Sequence, residues 1–337
     1  MLTYHILREL GYKVHVGGNI GIPLISIVNG TSDDSITVIE LSSFQLETID
    51  SFRPDAAALL NITPDHLDRY DSMEDYFEAK MRITMNQRAD DFFVYNMDDP
   101  WIRKGLPRVK AKSLAFSLDT RNGDIFYKDD IIFLKEGPNR QAFMKTKRMF
   151  LVGLHNVQNA MASILLIQSI VKKRGQKLDC DRAVMACSSF RGLEHRMEVL
   201  GVYQSRTIIN DSKATTVGAV EMALRSLIVP GVLILGGRTK GDDYSRLRHT
   251  LDSSVRAIVL IGESKEEFRG IFHDYHCIDA HDLDDALVQA MKISHEGDAI
   301  LLSPACASYD MFANFEERGR VFKDAYDRLV NGELSWT

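Results

Sequence analysis

The chain has only four cysteines in 337 residues, Cys180, Cys187, Cys277 and Cys306, and no two are spaced as C-x-x-C. That scarcity speaks against a disulfide scaffold, a cysteine zinc cage and a dithiol redox motif, and it points to a reducing, cytoplasmic compartment. Proline is sparse at 8 residues, which excludes a collagen-like or proline-rich chain. A long hydrophobic run is missing too. The most apolar stretch, residues 161–171, is broken by Ser163, Gln168 and Ser169 and falls short of the ~20 residues that span a bilayer. No membrane insertion is expected, and the N-terminus lacks the basic and apolar regions of a signal peptide. Positive charge is in deficit, with 41 Lys and Arg against 47 Asp and Glu for a net charge of −6. Such a chain repels phosphate overall, so no nucleic-acid partner is expected, while local anion sites stay open to it.

Two nucleotide signatures are absent as well. Neither G-x-G-x-x-G nor G-x-x-x-x-G-K-[ST] occurs, which disfavours a nicotinamide dehydrogenase and leaves the chain without a P-loop. What is present is the composition of a soluble globular protein, 45% hydrophobic and 26% charged, at a length that suits two domains. Leu2, Ile6, Leu7 and Leu10 trace one helical face that stops at Gly11. Short β-branched or aliphatic runs at 13–16, 37–41, 56–60 and 92–96 then alternate with helical patterns, the mark of an α/β fold with a parallel sheet. Between 113 and 150 the rhythm shifts to strands and turns, with 125–127 and 131–134 flanking Asp129-Asp130, which predicts a small antiparallel patch. Residues 156–173 read as a strong helix. A second α/β series begins near Phe190-Arg191-Gly192, with strands expected at 207–210, 232–235, 257–261 and 299–302. The expectation is two doubly wound α/β domains that meet near residue 193.

In open parallel sheets ligands gather at the carboxyl ends of strands, so the polar residues after each apolar run are the candidates. Glu40-Leu41-Ser42-Ser43-Phe44-Gln45 closes one run with a carboxylate and two hydroxyls, and Asn61-Ile62-Thr63-Pro64-Asp65-His66 closes the next with an acid and an imidazole. These groups suit a hard divalent ion such as Mg²⁺ beside a nucleotide; Ser42 and Asp65 equally suit helix caps. Lys80, in a helical stretch with Tyr76, Phe77 and Met81, reads by itself as a lysine snorkelling past an apolar stripe. Gly17-Gly18-Asn19-Ile20-Gly21 would let backbone N–H groups approach a phosphate. Asn210-Asp211-Ser212-Lys213-Ala214-Thr215 reads as an anion cradle at a helix start, capped by Ser212 or Thr215. Gly236-Gly237-Arg238-Thr239-Lys240-Gly241 repeats the arrangement one strand later. Two cationic loops on one sheet edge argue for an acidic ligand, although either alone is also an ordinary solvated turn. The small residues of 303–310 let a substrate come close, and Cys306 among them reads as a structural thiol rather than a nucleophile. Phe312, Phe315 and Glu316-Glu317-Arg318-Gly319-Arg320 follow.

Taken in order, several stretches resemble the Mur ligase family nearly end to end. They are Gly17-Gly18-Asn19-Ile20-Gly21, Glu40 through Glu47, Asp65-His66-Leu67-Asp68-Arg69-Tyr70, Leu154-His155-Asn156-Val157-Gln158-Asn159, His195-Arg196, Asn210 through Thr215, and residues 303–315. The resemblance implies a truncated central ATPase-like domain over 1–193, without its first strand and P-loop, followed by a Rossmann-like, glutamate-binding C-terminal domain over 194–337. The family's UDP-binding N-terminal domain and P-loop precede the helix that opens at Leu2, so a separate or missing N-terminal domain and an exposed sheet edge are expected. The implied activity is ATP-dependent amide ligation: a substrate carboxylate is phosphorylated, and the amine of D-glutamate attacks the acyl phosphate. UDP-N-acetylmuramoyl-L-alanine and D-glutamate are the implied substrates, ATP and Mg²⁺ the cofactors. Carried over by motif, Glu40 and His66 look like metal ligands, and Lys80 like the family lysine that is carbamylated and joins them. Asn156 and Asn159 would face adenine, with Arg196 and Asp211 nearer the phosphates and ribose. Lys213, Thr215, Lys240, Ser308 and Phe315 would receive D-glutamate, with Lys213 counted as catalytic beside Lys80 and His66. Asn19, Ser42 and Gln45 would touch the muramoyl-alanine part. A folylpolyglutamate-synthetase-like ligase and a non-catalytic glutamate-binding protein are the alternatives.

Overall fold

The alternation of short apolar runs with amphipathic segments folds into two units, Met1–Arg191 and Gly192–Thr337. The computed structural model describes all residues except 20–21, 64–68, 138, 152, 228 and 337, and all side chains but those of these residues and of positions 136 and 253. No helix among the described residues is long and apolar enough to cross a membrane.

The first unit runs α1 (Leu2–Glu9), β1 (Val14–Gly18), α2 (Leu24–Ile27), β2 (Ile36–Glu40), α3 (Ser43–Glu47), β3 (Ala56–Leu59), α4 (Met73–Met81), β4 (Phe92–Asn96), α5 (Pro100–Gly105), β5 (Lys112–Ser117), β6 (Ile125–Lys128), β7 (Ile131–Glu136), β8 (Asn139–Lys145), α6 (Leu154–Lys173) and α7 (Cys180–Ser189). Its strands form two pieces: a parallel pair β1-β2, and a six-stranded sheet ordered β3-β4-β5-β6-β7-β8. Among the described residues β2 pairs only with β1, and β3 only with β4. Both pieces nonetheless lie under the same helical layer. Ile36 of β2 and Val94 of β4 share a core with Ile6 and Leu7 of α1 and with the apolar face of α6, and Ala58 of β3 packs against it. The opposite face of the six-stranded sheet packs Ala57, Leu59 and Phe93 against Tyr76, Phe77 and Met81 of α4 and Ile102 of α5. Every residue of β4 is buried, as its unbroken apolar run requires of a central strand covered on both faces. The expected antiparallel patch is not a separate layer. β6 pairs parallel to β5, and β7 and β8 extend the same sheet as an antiparallel meander.

The second unit runs β9 (Glu198–Tyr203), β10 (Arg206–Asn210), α8 (Val217–Arg225), β11 (Gly231–Gly236), α9 (Arg248–Ser254), β12 (Val255–Ile261), α10 (Lys265–Ile271), β13 (Cys277–Asp279), α11 (Leu283–Ile293), β14 (Ala299–Leu302) and α12 (Phe315–Val330). One sheet, ordered β13-β12-β11-β14-β10-β9, contains all these strands, parallel except for the antiparallel edge strand β9. One face is covered by α8, Leu251 of α9 and Phe268 of α10, the other by α11 and α12. The chain steps outward from β10 through β11 and β12 to β13, then returns through α11 to lay β14 between β10 and β11. That return makes a topological switch point at the carboxyl ends of β10, β14 and β11, where doubly wound folds open a ligand crevice.

Candidate functional site

In the first unit the ends of two adjacent parallel strands bring Asn19 and Glu40 together. The Asn19 amide donates to Glu40 Oε1 at 3.2 Å, and the Asn19 backbone N–H donates to the Glu40 carbonyl at 2.7 Å. Ile20 and Gly21 of the Gly17–Gly21 stretch lie outside the described residues, and at Gly18 and Asn19 the backbone N–H groups are already taken. The Gly18 N–H is spent on the Ile22 carbonyl at 2.9 Å, and a Cβ on Gly18, whose φ is +107°, would stand 2.3 Å from the Glu40 carbonyl oxygen. The glycine permits β1 and the residues after it to close against β2; it does not offer a free donor.

Ser42 does cap a helix. Its hydroxyl accepts from Gln45 N–H at 3.2 Å, and Gln45 Oε1 accepts from Ser42 N–H at 2.9 Å, a capping box at the start of α3. The other end of α3 is held by Arg82, which donates to the Leu46 and Ile49 carbonyls at 2.8 Å each. Two residues earlier, Lys80 projects from α4, capped by Ser72, and its ammonium lies 4.9 Å from the centre of the Tyr76 ring. His66 and Asp65 lie outside the described residues, and among those described no three His, Cys, Asp or Glu side chains cluster as a metal site. Asn156 and Asn159 share one face of the first turns of α6, with the Asn159 amide donating to Asn156 Oδ1 at 3.3 Å.

In the second unit three loops leave β10, β11 and β14 and are hydrogen-bonded to one another. Ala305 N–H donates to the Ala214 carbonyl at 2.9 Å, Gly236 N–H to the Pro304 carbonyl at 3.0 Å, and Arg238 and Ala307 exchange backbone bonds at 2.9 and 3.0 Å. This meshing needs unusual backbone. Ala305 sits at φ +58° although it carries a Cβ, a conformation that costs about 1–2 kcal/mol outside glycine. Gly237 is at φ +135°, where a Cβ would stand 2.4 Å from the Ala307 carbonyl.

The cradle thus built carries Thr215 and Lys240 side by side, the Lys240 ammonium donating to the Thr215 carbonyl at 2.8 Å. Ser308 is buried in the third loop, and the exposed Lys213 lies with its ammonium 5.7 Å from the centre of the Phe315 ring. Arg238, the other cation of the second loop, is engaged by Glu263 through Nε at 3.0 Å and Nη2 at 2.9 Å. Neither Ser212 nor Thr215 caps the following helix: Thr216 does, accepting from Ala219 N–H at 3.4 Å. Ser212 instead donates to the Phe315 carbonyl at 2.8 Å, fastening the first loop to α12.

Asp211 is buried behind this loop. Its Oδ1 accepts from Met197 N–H at 3.1 Å and its Oδ2 from Ser303 Oγ at 2.8 Å. Burial pushes its carboxyl up to about 6, against the pull of the Ser303 hydroxyl, the Met197 N–H and the exposed Arg196. Cys306 is fully buried, and burial raises its thiol to about 11, so it is no nucleophile.

Three residues of this frame were given no individual role from the sequence, although Asn210 and His195 stand in stretches that carry the family resemblance. The buried Asn210 amide reaches His195 Nδ1 and the Gly319 carbonyl, each at 3.0 Å. His195, at φ +62°, packs so closely on α12 that a Cβ at Gly319 would stand 2.1 Å from its Nδ1. Arg318 is buried among charged neighbours in sequence, and a glycine inside a helical pattern was the available hint of close approach there.

Residues 1–167 match the family model described as the Mur ligase middle domain, and residues 195–306 match the Mur ligase, glutamate ligase domain. The chain is 41% identical over 336 residues to the UDP-N-acetylmuramoylalanine–D-glutamate ligase of Geobacter sp. (strain M21), a match that covers 98% of this chain and 72% of that protein. The ligase of the same name from Clostridioides difficile (strain 630) is 38% identical over 334 residues, 97% of this chain and 72% of its own. Among solved structures, MurF ligase from Thermotoga maritima in complex with ADP aligns with a TM-score of 0.65 at 18% identity, over 97% of this chain and 77% of that one. MurF from Acinetobacter baumannii aligns with a TM-score of 0.69 at 14% identity, over 96% and 74%. These two likenesses speak to the fold, while the family matches and the identity to the ligases speak to descent. The chain belongs to the Mur ligase family.

Proposed function

We propose that the chain carries out ATP-dependent amide ligation in the cytoplasm, joining D-glutamate to UDP-N-acetylmuramoyl-L-alanine through an acyl phosphate. The observation that carries this reading is the meeting of Lys240 and Thr215 beside the loop of Ser308, at the switch point of the second unit. An amino acid with two carboxylates needs both a cation and hydroxyl or backbone donors on facing loops, and this crevice offers them. The names and 38–41% identity of the relatives support the choice of D-glutamate and its acceptor.

In this reading Thr215, Lys240, Lys213, Ser308 and Phe315 hold D-glutamate with its amine oriented for attack, which lowers the entropic part of the barrier. Asn19, Ser42 and Gln45 face the muramoyl-alanine part, Asn156 and Asn159 the adenine, and the exposed Arg196 the phosphates and ribose, with Asp211 behind that loop holding Met197 N–H and Ser303 Oγ. Mg²⁺ is commonly held by one or two carboxylates, with substrate phosphates and water completing its shell. Glu40, exposed at the end of β2 beside the Asn19 amide, fits that need, and His66 would supply the imidazole of the set. Lys80 as an ammonium does not fit beside a cation; as a carbamate it offers anionic oxygens, and we assign it that form. The ion, when bound, spreads the charge of the transferring phosphoryl group.

The test is to supply the chain with ATP, Mg²⁺, D-glutamate and UDP-N-acetylmuramoyl-L-alanine, and to follow the acceptor by mass spectrometry. A glutamyl adduct matched by ADP, and absent with L-glutamate, is expected. Glutamylation of a folate in its place, or no adduct on either acceptor, would contradict the proposal.

A further inference from the structure

Among the charged groups that the reaction as outlined leaves without a task, Arg318 lies directly beneath the loops of the proposed amino-acid site. Arg318, in the first turn of α12, is 2% exposed. A guanidinium has five N–H donors, and here they meet neutral oxygens: Nε donates to Ser212 Oγ at 3.0 Å, Nη2 to the Ser212 carbonyl at 2.8 Å, and Nη1 and Nη2 both to the Cys306 carbonyl at 3.2 Å. Four N–H groups are thereby spent. The remaining one is on Nη1, the atom that a Cβ at Gly237 would approach to 3.3 Å. Asp310 lies near enough for its carboxylate charge to act on the guanidinium, but it makes no ion pair with it among the described residues; its Oδ2 accepts from Glu263 N–H at 3.0 Å. Burial pulls the guanidinium down to about 10, so it stays charged at neutral pH.

A buried charge without an ion-pair partner is costly, and a protein that needed only a brace between loops would do as well with neutral donors. The bonds of Arg318 join the loop that carries Lys213 and Thr215 to the loop that carries Ser308, and its Nη1 lies against the loop that carries Lys240. Lys213 and Lys240 are exposed on two of these loops, and Arg318 adds a third, buried cation to the same loop cluster.

We infer that Arg318 is a positioning residue for the amino-acid substrate: it aligns the Ser212–Thr215 and Cys306–Ser308 loops and supplies, from beneath them, positive charge that favours a dicarboxylate. This rests on the reading of the crevice as the D-glutamate site. The role separates from plain loop support because it discriminates between ligands. Misplaced loops weaken every amino acid alike, whereas a lost charge weakens the dicarboxylate selectively.

The test compares wild type, Arg318→Lys and Arg318→Met by calorimetry. D-glutamate and D-norvaline, which lacks the side-chain carboxylate, are each titrated with the muramoyl acceptor and a non-hydrolysable ATP analogue present. Arg318→Met is expected to weaken D-glutamate about tenfold or more and D-norvaline less than about threefold, with Arg318→Lys recovering most of the loss. Unchanged D-glutamate affinity in Arg318→Met, or equal losses for both ligands, would overturn the inference. Should the Met variant not fold, the Arg318 Nε–H resonance of the wild-type chain decides the same question: it shifts on adding D-glutamate and not D-norvaline, or the inference fails. A wild-type chain that binds no D-glutamate overturns the ligase reading itself, and this inference with it.

Discussion

The ammonium of Lys240 donates to the carbonyl oxygen of Thr215 at 2.8 Å, across the position in the sheet that β14 occupies between β10 and β11. The bond fixes a cation between the loops that follow β10 and β11, and its acceptor is neutral. An ionised carboxylate is the stronger partner for an ammonium, so an acidic ligand is able to compete for it. Replacing Lys240 by Ala is therefore expected to raise the KM for D-glutamate about tenfold or more, with little change in the KM for ATP. Equal rises in both would show that Lys240 supports the fold rather than the amino acid.

Gly319 gives a prediction of sign. In an ordinary helix interior Gly→Ala stabilises by about 1 kcal/mol. Here the new Cβ would stand 2.1 Å from His195 Nδ1 and 2.5 Å from its Cγ, and overpacking of this kind costs about 1–3 kcal/mol. Gly319→Ala is expected to lower the stability of the second unit in urea denaturation. A stabilised variant would show that His195 does not rest on α12 as described.

Asp211 makes stability depend on pH. Its folded-state value of about 6 lies above that of an unfolded aspartate, so between about pH 4 and 6 the folded state holds a proton that the unfolded state has released. Its contribution is complete below about pH 4 and is lost as pH rises through 6, an effect on the order of 3 kcal/mol. Unfolding of the second unit followed at pH 4.5, 6 and 7.5 is expected to show that decline, and Asp211→Asn to flatten it. A wild-type stability that rises across this window, with Asp211→Asn following it, would remove the assignment.

Lys80 tests the metal reading. Lys80→Ala is expected to reduce turnover about a hundredfold or more, with partial recovery on adding a short carboxylic acid that restores an anionic oxygen. Full activity in the variant would take Lys80 out of the metal set.

Much of this was legible in the sequence, and what was not has physical causes. β4 and β14 were found because an unbroken apolar run of strand length, as in Phe92-Phe93-Val94-Tyr95, suits a central strand covered on both faces. The loops after β10, β11 and β14 were found because parallel sheets place chemistry at carboxyl ends. β9 escaped because it is an edge strand whose side chains are mostly half-buried, and β13 because it is three residues long. Arg318 escaped for a different reason: Glu316-Glu317-Arg318 reads as a solvated helix face, and only tertiary packing turns that arginine inward. The cap of α8 fell to Thr216 because Ser212 is drawn away to the Phe315 carbonyl by a contact 103 residues distant.

The most direct measurement of the central claim is a nuclear magnetic resonance titration of the chain with D-glutamate and, separately, L-glutamate, with the acceptor and an ATP analogue present. D-glutamate is predicted to shift the backbone resonances of Thr215, Lys240 and Ser308, with L-glutamate leaving them in place. Equal responses to the two enantiomers, or shifts confined to other parts of the chain, would contradict the assignment of this crevice as the D-glutamate site.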